Sequence, residues 1–292
     1  MTLARGLAVF VFAFSAALPL RATTLRMEAA GAWSENISRS SAPSDWRDAY
    51  RYEARASLGA FREWRAGSIA SIAADAGFEH VPRFTQTDAF TAGVGGELRQ
   101  KFGLGAYAPS IAVSAGLHHR AARIDGNDGW TAASALRLSK RLTPSWRIAA
   151  IGDWQQHYAR SSIFDTRHHR FSGTLAWDIT PRLQLAHGNG RLWGDFTANA
   201  GPAVWARAIS GALGSSVFDY YNTVAWGVTD SYGPNWVTYR VEGRISFWWL
   251  ELSPALGPNT SLPLRYDSLF AVNKIGVKYR QDVWTLQLLH RF

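Results

Sequence analysis

Charged residues recur at every second position in parts of this sequence, and they are its clearest candidates for a functional site. Two triplets have the form Arg-x-Glu-x-Arg, and in an extended strand such side chains share one face. That face either neutralises itself through ion pairs or, where Arg is in excess, attracts anions. The candidate anion-binding residues are the two triplets and a further arginine pair: Arg51, Glu53, Arg55, Arg240, Glu242, Arg244, Arg137 and Arg141.

The polar faces of the predicted strands carry an excess of basic side chains. Twelve basic residues stand against six acidic ones, which predicts an anion-attracting interior or, alternatively, an ion-paired interior that only stabilises the fold. The basic residues are Arg51, Arg55, Arg99, Arg120, Arg137, Arg141, Arg147, Arg170, Arg240, Arg244, Lys274 and Lys278, and the acidic ones are Glu53, Asp75, Glu97, Asp153, Asp178 and Glu242.

Two histidine pairs, His118-His119 and His168-His169, are each followed by Arg. One interpretation is a metal or anion site at the rim of the fold. The alternative is that one histidine of each pair faces inward and the other lies at an interface. We predict no metal site and no cofactor.

The elements that must position these residues are amphipathic strands. Apolar and polar side chains alternate in several long stretches, so that each strand has one apolar and one polar face. The apolar faces are predicted at alternate residues within 50–58, 90–98, 111–117, 171–179 and 237–249.

A soluble sandwich buries such an apolar face, whereas a transmembrane barrel turns it towards lipid. The strands are longer than the usual five to six residues of soluble proteins, and Trp residues recur at their ends, where interfacial girdles lie. Both features favour a closed antiparallel transmembrane β-barrel.

Short and long connections alternate, which predicts short periplasmic turns and longer extracellular loops. We predict twelve strands, with Arg280–Asp282 as a bulge in the last one; a true hairpin there makes fourteen the alternative. The predicted strands are 25–37, 49–61, 68–79, 88–100, 109–121, 130–141, 146–159, 168–179, 183–195, 218–228, 236–250 and one within 274–292. Among the long loops, 197–217 has a helix-like centre.

Composition excludes several other classes of protein. The chain has 31 Lys and Arg, 22 Asp and Glu, and no Cys, which excludes a disulfide scaffold and thiolate metal sites. The basic residues are spread along the chain rather than gathered into a patch, so nucleic acid is not an expected partner.

Residues 1–22 have the features of a secretory signal: Arg5, an apolar run and small residues near the end. The run is shorter than the roughly 20 residues of a spanning helix. Cleavage is predicted after Ala17 or Ala22, leaving 23–292 as a single barrel domain.

The final residues, VWTLQLLHRF, alternate apolar side chains and end on Phe. This segment resembles the C-terminal signature of Gram-negative outer-membrane β-barrel proteins. The resemblance implies an outer-membrane location, contact with outer-membrane lipid, and recognition by periplasmic chaperones and the barrel-assembly machinery. The residues matching the assembly signal are Trp284, Leu286, Leu288 and Phe292.

Some barrels of this class are enzymes, but their motifs are missing. No His is followed two positions later by Ser, and no Asp-Asp pair occurs; His187-Gly188-Asn189-Gly190 lacks a nucleophile. The sequence therefore predicts a non-enzymatic, porin-like channel or binding barrel for small anionic solutes. The alternatives are a closed structural or adhesive barrel and, less favoured, a lipid-modifying enzyme.

Overall fold

The computed structural model describes residues 22–210, 220–221 and 223–292; the predicted signal lies almost entirely outside them. Within the described residues the chain forms fourteen strands and one α-helix, α1 (Pro202–Ser210). The strands are β1 (Ala22–Ser34), β2 (Ala49–Arg65), β3 (Ser68–His80), β4 (Ala89–Lys101), β5 (Ser110–Ala122), β6 (Gly129–Arg141), β7 (Trp146–Ala159), β8 (Thr166–Thr180), β9 (Leu183–Ala200), β10 (Trp226–Val228), β11 (Val237–Pro254), β12 (Thr260–Ser261), β13 (Leu264–Asn273) and β14 (Lys278–Arg291).

Twelve of these strands form a closed antiparallel barrel, as predicted. Each pairs with the next barrel strand along the chain, and β1 closes the ring against β14 from Arg26↔Arg291 to Ser34↔Val283. The short strands β10 and β12 lie off the ring and pair with β11 and β14 respectively. No helix in the described part of the chain is long and apolar enough to cross a membrane.

Large apolar side chains cover the outward face of the barrel. Tyr50, Leu58 and Phe171 are each about 60% exposed, and their strand neighbours in sequence point inward. An apolar outer surface on a closed barrel faces lipid. The predicted phase is confirmed for β2, β4, β5 and β8.

The connections differ at the two ends of the barrel. At the end holding residue 22 and Phe292 they are 66–67, 102–109, 142–145, 181–182 and 255–263, whereas the opposite end carries 35–48, 81–88, 123–128, 160–165, 201–236 and 274–277. The longest segments lie at this second end, which we call the outer end because long loops are extracellular in outer-membrane barrels.

The predicted count of twelve is right, but two of the predicted elements are wrong. Of 218–228, only Trp226–Val228 forms a strand among the described residues, and it lies outside the ring. Its place is taken by β13, in a segment predicted to be a loop. Residues 280–282 form neither a bulge nor a hairpin turn, because they lie within β14 and the β13–β14 register is continuous through them; the turn between these two strands is at 274–277.

An aromatic cluster inside the barrel explains these errors. It lies on the inward faces of β9, β11, β13 and β14 and against α1, and its aromatic members are Phe196, Trp205, Tyr221, Tyr239 and Tyr279. Apolar side chains on both faces of a strand remove the simple alternation that marks a membrane strand. We call these five residues the inner aromatic cluster.

The β9–β11 pair continues past the end of β13 towards the outer end. Gly194 and Gly243 are cross-strand partners just where the β11–β13 ladder stops. Gly194 has a φ of +132°, and a Cβ at either position would collide with the backbone of the adjacent strand. Only glycine allows the backbones to approach this closely.

Candidate functional site

Among the residues that the structure describes, two cavities lie in the lumen. The outer chamber, about 570 Å³, lies towards the long loops, and the inner chamber, about 650 Å³, lies among β1–β8. Gln155 on β7 lines both, so the chambers are adjacent at this residue. Each volume is within the range of small-molecule sites.

The outer chamber holds a group of arginines around one acid. Glu79 on β3 lies between Arg51 on β2 and Arg120 on β5, with nitrogen–oxygen distances of 4.0 and 3.4 Å. Arg39 reaches the same chamber from the 35–48 connection, where it has a φ of +53°. Strand alternation brings Arg51, Glu79 and Arg120 to one face of three nearly adjacent strands.

Three arginines and one glutamate make the chamber cationic. An arginine guanidinium stays protonated in proteins, so all three arginines carry a positive charge. Arg280 also borders the cavity, but its side chain lies on the outward face, where it pairs with Asp282 at 2.7 Å. The group of Arg39, Arg51, Arg120 and Glu79 has a net formal charge of +2.

Two connections roof this chamber and are joined to each other. The Tyr232 hydroxyl donates to the Ile37 carbonyl oxygen at 2.9 Å, and the Arg47 guanidinium lies 4.7 Å from the Trp236 ring centroid. Burial raises the pKa of Tyr232 to about 12, so the phenol remains a donor at neutral pH.

The 35–48 connection is also tied to the far side of the ring at β9. Ser40 Oγ donates to the Asn199 carbonyl at 2.6 Å, and Asn199 Nδ2 donates to the Ser38 carbonyl at 2.7 Å. The Gly201 amide donates to Asp45 Oδ2 at 2.6 Å. The connection therefore crosses part of the barrel mouth instead of projecting from it.

The inner chamber is nearly neutral and internally paired. Asp75 accepts from Arg55 Nε and contacts His118 Nε2, each at 3.0 Å, and Arg170 Nε donates to Asp153 at 2.8 Å. Its charged lining comprises three arginines and four acids: Arg26, Arg55, Arg170, Glu28, Asp75, Glu97 and Asp153.

Another ion-paired group lies at the inner end of the lumen. Asp178 accepts from Arg147 at 3.0 Å, from Arg141 at 3.4 Å and from Gln184 at 2.6 Å. Arg137 faces the lumen on β6 and has no ion pair within the described residues. Among the predicted anion-site residues, Arg51, Glu53, Arg55, Arg137 and Arg141 thus face the interior.

The β11 triplet is placed differently from the prediction. Val237, Tyr239 and Val241 are buried inside the barrel, so the alternate residues Arg240, Glu242 and Arg244 lie on the outward face. The predicted phase of this strand was wrong because its odd-numbered residues serve the inner aromatic cluster rather than lipid. Lys274 and Lys278 also lie outside the lumen, where Lys274 pairs with Glu242 at 2.6 Å.

Several charged residues in the interior were not predicted from the sequence. Glu79 continues the alternation of Asp75 and Gly77 and was detectable by extending that pattern. Arg265 and Asp267 on β13 pair with each other but lie in a segment predicted as a loop. Arg39 lies in a connection, so no strand pattern could assign it to the chamber.

The histidine pairs follow strand alternation. His118 and His168 face the lumen, whereas His119 faces outward, with its ring 4.9 Å from that of Trp130. In the described part of the chain, no group of three or more His, Asp or Glu is placed to hold a metal ion.

The C-terminal strand has the predicted outward face. Trp284, Leu286 and Leu288 are exposed on that face. The Phe292 amide donates to the Leu25 carbonyl at 2.8 Å, which holds the last residue against β1 at the inner end.

Comparison with known proteins gives similarity in structure only. No protein-family model matches the chain, and no curated protein matches it. An outer-membrane channel from Pseudomonas putida F1 matches with a TM-score of 0.56 and 10% identity, over 94% of this chain and 97% of that one.

Two other porins match with lower scores. The NanC porin has a TM-score of 0.45 and 11% identity over 90% of this chain and 98% of its own. The KdgM porin, solved with disordered oligogalacturonate, has a TM-score of 0.45 and 7% identity over 91% and 99%. Together with the closed ring and its apolar outer surface, the likeness to the Pseudomonas channel shows that the chain has the fold of outer-membrane β-barrel proteins.

Proposed function

We propose that this barrel is a porin-like channel for small anionic solutes, with the outer chamber as the site that selects them. The observation that carries the proposal is the group of Arg39, Arg51 and Arg120 around the single Glu79. The proposal depends on this lining and not on the names of the structural neighbours.

The physical basis is the concentration of fixed positive charge in a narrow space. Charges inside a low-dielectric wall act on an ion more strongly than the same charges across bulk water. An excess of arginine at the outer chamber attracts anions and repels cations. The inner chamber, being nearly neutral, adds little preference, so selection is confined to the outer half of the lumen.

The test is ion selectivity of the purified barrel in planar bilayers under a salt gradient. We expect anion preference in the wild type, a weaker preference in R51Q/R120Q, and a stronger preference in E79Q, which removes the opposing charge. K140Q is the control, because Lys140 is exposed on the outward face of β6. A conducting, folded R51Q/R120Q variant with unchanged reversal potential would exclude these arginines as the selecting group.

A closed structural barrel is the second candidate. The observation favouring it is that the inner aromatic cluster and the 35–48 connection both occupy the barrel mouth. Folded protein that inserts into bilayers without any conductance would support this candidate and contradict the channel. We propose transport rather than catalysis, and the absence of enzymatic activity stays a prediction.

Assembly is proposed to use the C-terminal strand. We infer that periplasmic chaperones carry the exported chain after removal of residues 1–17 or 1–22, and that the barrel-assembly machinery reads Trp284, Leu286, Leu288 and Phe292. The support is the alternating outward face of β14 and its position at the closure with β1.

A further inference from the structure

Three basic side chains lie on the outward face of β9, β11 and β14, at or just below the level where the β11–β13 ladder ends. Arg244 is the cross-strand partner of Trp193 on β9 and of Val272 on β13, and Val272 is in turn the partner of Lys278. Arg191 lies one row lower, opposite Ser246. We call Arg191, Arg244 and Lys278 the outer basic strip.

We propose that the outer basic strip binds the phosphate groups of an anionic lipid in the outer leaflet of the membrane. This inference is independent of the proposed channel function, because none of the three residues lines either chamber. It concerns the outer surface of the barrel and its lipid partner.

The three cations are exposed and have no ion pair within the described residues. The ion pairs on this face involve their neighbours: Lys274 with Glu242 at 2.6 Å, and Arg280 with Asp282 at 2.7 Å. These pairs neutralise each other and leave the strip with three uncompensated charges. Arginine and lysine side chains that have no ion-pair partner can donate charge-assisted hydrogen bonds to phosphate oxygens.

The location of the strip fits a lipid headgroup. A charge on the lipid face costs about 2–4 kcal/mol at the bilayer midplane but about 0–1 kcal/mol near an interface. Lys278 is the first residue of β14, and Arg244 lies one residue below the end of the β11–β13 ladder. Both positions are therefore at the outer membrane boundary.

The opposite side of the ring differs at the corresponding strand ends. There the outward side chains are aromatic, with Tyr50, Phe78, Phe90, Trp130 and Tyr158 all exposed. Aromatic girdles suit any membrane interface. The presence of cations beside the aromatic side chains Trp193 and Phe270 on this side indicates a specific lipid contact rather than general anchoring.

Apolar side chains between the cations favour a lipid over a free phosphate ion. Trp193 and Phe270 are 44% and 45% exposed on the same face, and Phe270 is the partner of Ser246, next to Arg191. Neighbouring strands lie roughly 4.8 Å apart, so acyl chains can pack on these rings while phosphates reach the cations. A second copy of this chain presenting the same three cations would be repelled.

The experiment is lipid retention by the purified full-length barrel, measured by native mass spectrometry with bisphosphorylated lipid A as the probe. We expect binding of the probe to weaken at least tenfold in R191Q/R244Q/K278Q and to change little in K140Q. The charge-preserving R191K/R244K variant should retain most of the affinity. Heat-modifiable migration identifies folded protein in every sample.

Five results would overturn the proposal. These are equal retention by the triple variant and the wild type, an equal loss in K140Q, and equal binding of monophosphorylated and bisphosphorylated probes. The fourth is binding of inorganic phosphate at the strip without any effect on lipid retention. A dimer that disappears in the triple variant would instead assign the strip to association between copies and would equally contradict a lipid site.

Discussion

Phe196 of β9 and Tyr279 of β14 meet inside the barrel, with ring centroids 5.4 Å apart and ring planes at 84°. Two barrel strands, β11 and β13, separate β9 from β14 in the ring, so this contact spans the interior. Edge-to-face aromatic pairs of this kind stabilise beyond their area of burial. The contact fixes one side of the lumen as packed protein and leaves the chambers to the remaining strands.

Truncation of this contact should lower the stability of the barrel and leave a cavity in its interior. We expect Phe196→Ala to lower the free energy of unfolding by about 3–5 kcal/mol, because it leaves a cavity beside Tyr279. Denaturant titration in micelles measures the loss. Phe171→Ala, on the lipid face, should cost less, since lipid or detergent fills the space. An equal cost for the two substitutions would contradict a packed inner cluster.

The outward position of the β11 triplet predicts that its charge has no effect on selectivity. In R240E/R244E the formal charge changes by four, yet the reversal potential should stay at the wild-type value because neither side chain lines the lumen. Arg240 Nη1 instead donates to the Asp165 carbonyl in the 160–165 connection. The matched comparison is R51E/R120E, which should reduce or invert anion preference. A similar shift in both variants would place the β11 triplet on the ion path.

The roof of the outer chamber should respond to strongly alkaline pH. The pKa of Tyr232 is raised from an ordinary value of about 10 to about 12. The contribution of the protonated phenol to the free energy of unfolding is therefore fully present below pH 10 and is lost as the pH rises through 12. A tyrosinate absorbance titration of wild type minus Y232F should show one late transition with a midpoint near 12. A midpoint near 10 would mean that Tyr232 is solvated and does not hold the roof.

The terminal residue should matter for assembly in cells more than for the finished barrel. We expect Phe292→Ala to reduce the amount of heat-modifiable barrel in outer-membrane fractions, with unfolded chain appearing in the periplasm. Refolding of the purified variant in detergent should be nearly normal, because Phe292 is exposed at the inner end. Leu256→Ala, another exposed residue at that end, is the control. Equal outer-membrane levels of the two variants would remove Phe292 from the assembly signal.

The strands that face lipid on one side and the lumen on the other could be predicted from sequence. For β2, β4, β5 and β8 the alternation gave the correct face for every charged candidate, including Arg51, Glu53 and Arg55. The physical reason is that lipid favours apolar side chains and a wet lumen favours polar ones, so successive residues of a strand alternate in polarity. This alternation is local and can be seen in the sequence.

The region from β9 to β14 could not be predicted in the same way. There the interior is filled by Phe196, Tyr239 and Tyr279, so the apolar face of β11 points inward and its charged face points outward, which is the reverse of the predicted phase. β13 (Leu264–Asn273) lies in a segment predicted to be a loop, and the predicted bulge at 280–282 lies within the continuous strand β14. The predicted strand 218–228 lies outside the ring and the unpredicted β13 lies within it, which is why the strand count is still twelve.

The sequence alone determined that this chain is an antiparallel barrel with an apolar outer surface, because that pattern is repeated in each strand. Tertiary structure decided where the charges act. Arg39 from a connection, Arg51 and Arg120 from separate strands and Glu79 between them form one chamber only when the ring closes. Packing between distant strands places Arg240 and Arg244 on the outward face rather than in the lumen. No local sequence pattern shows such packing.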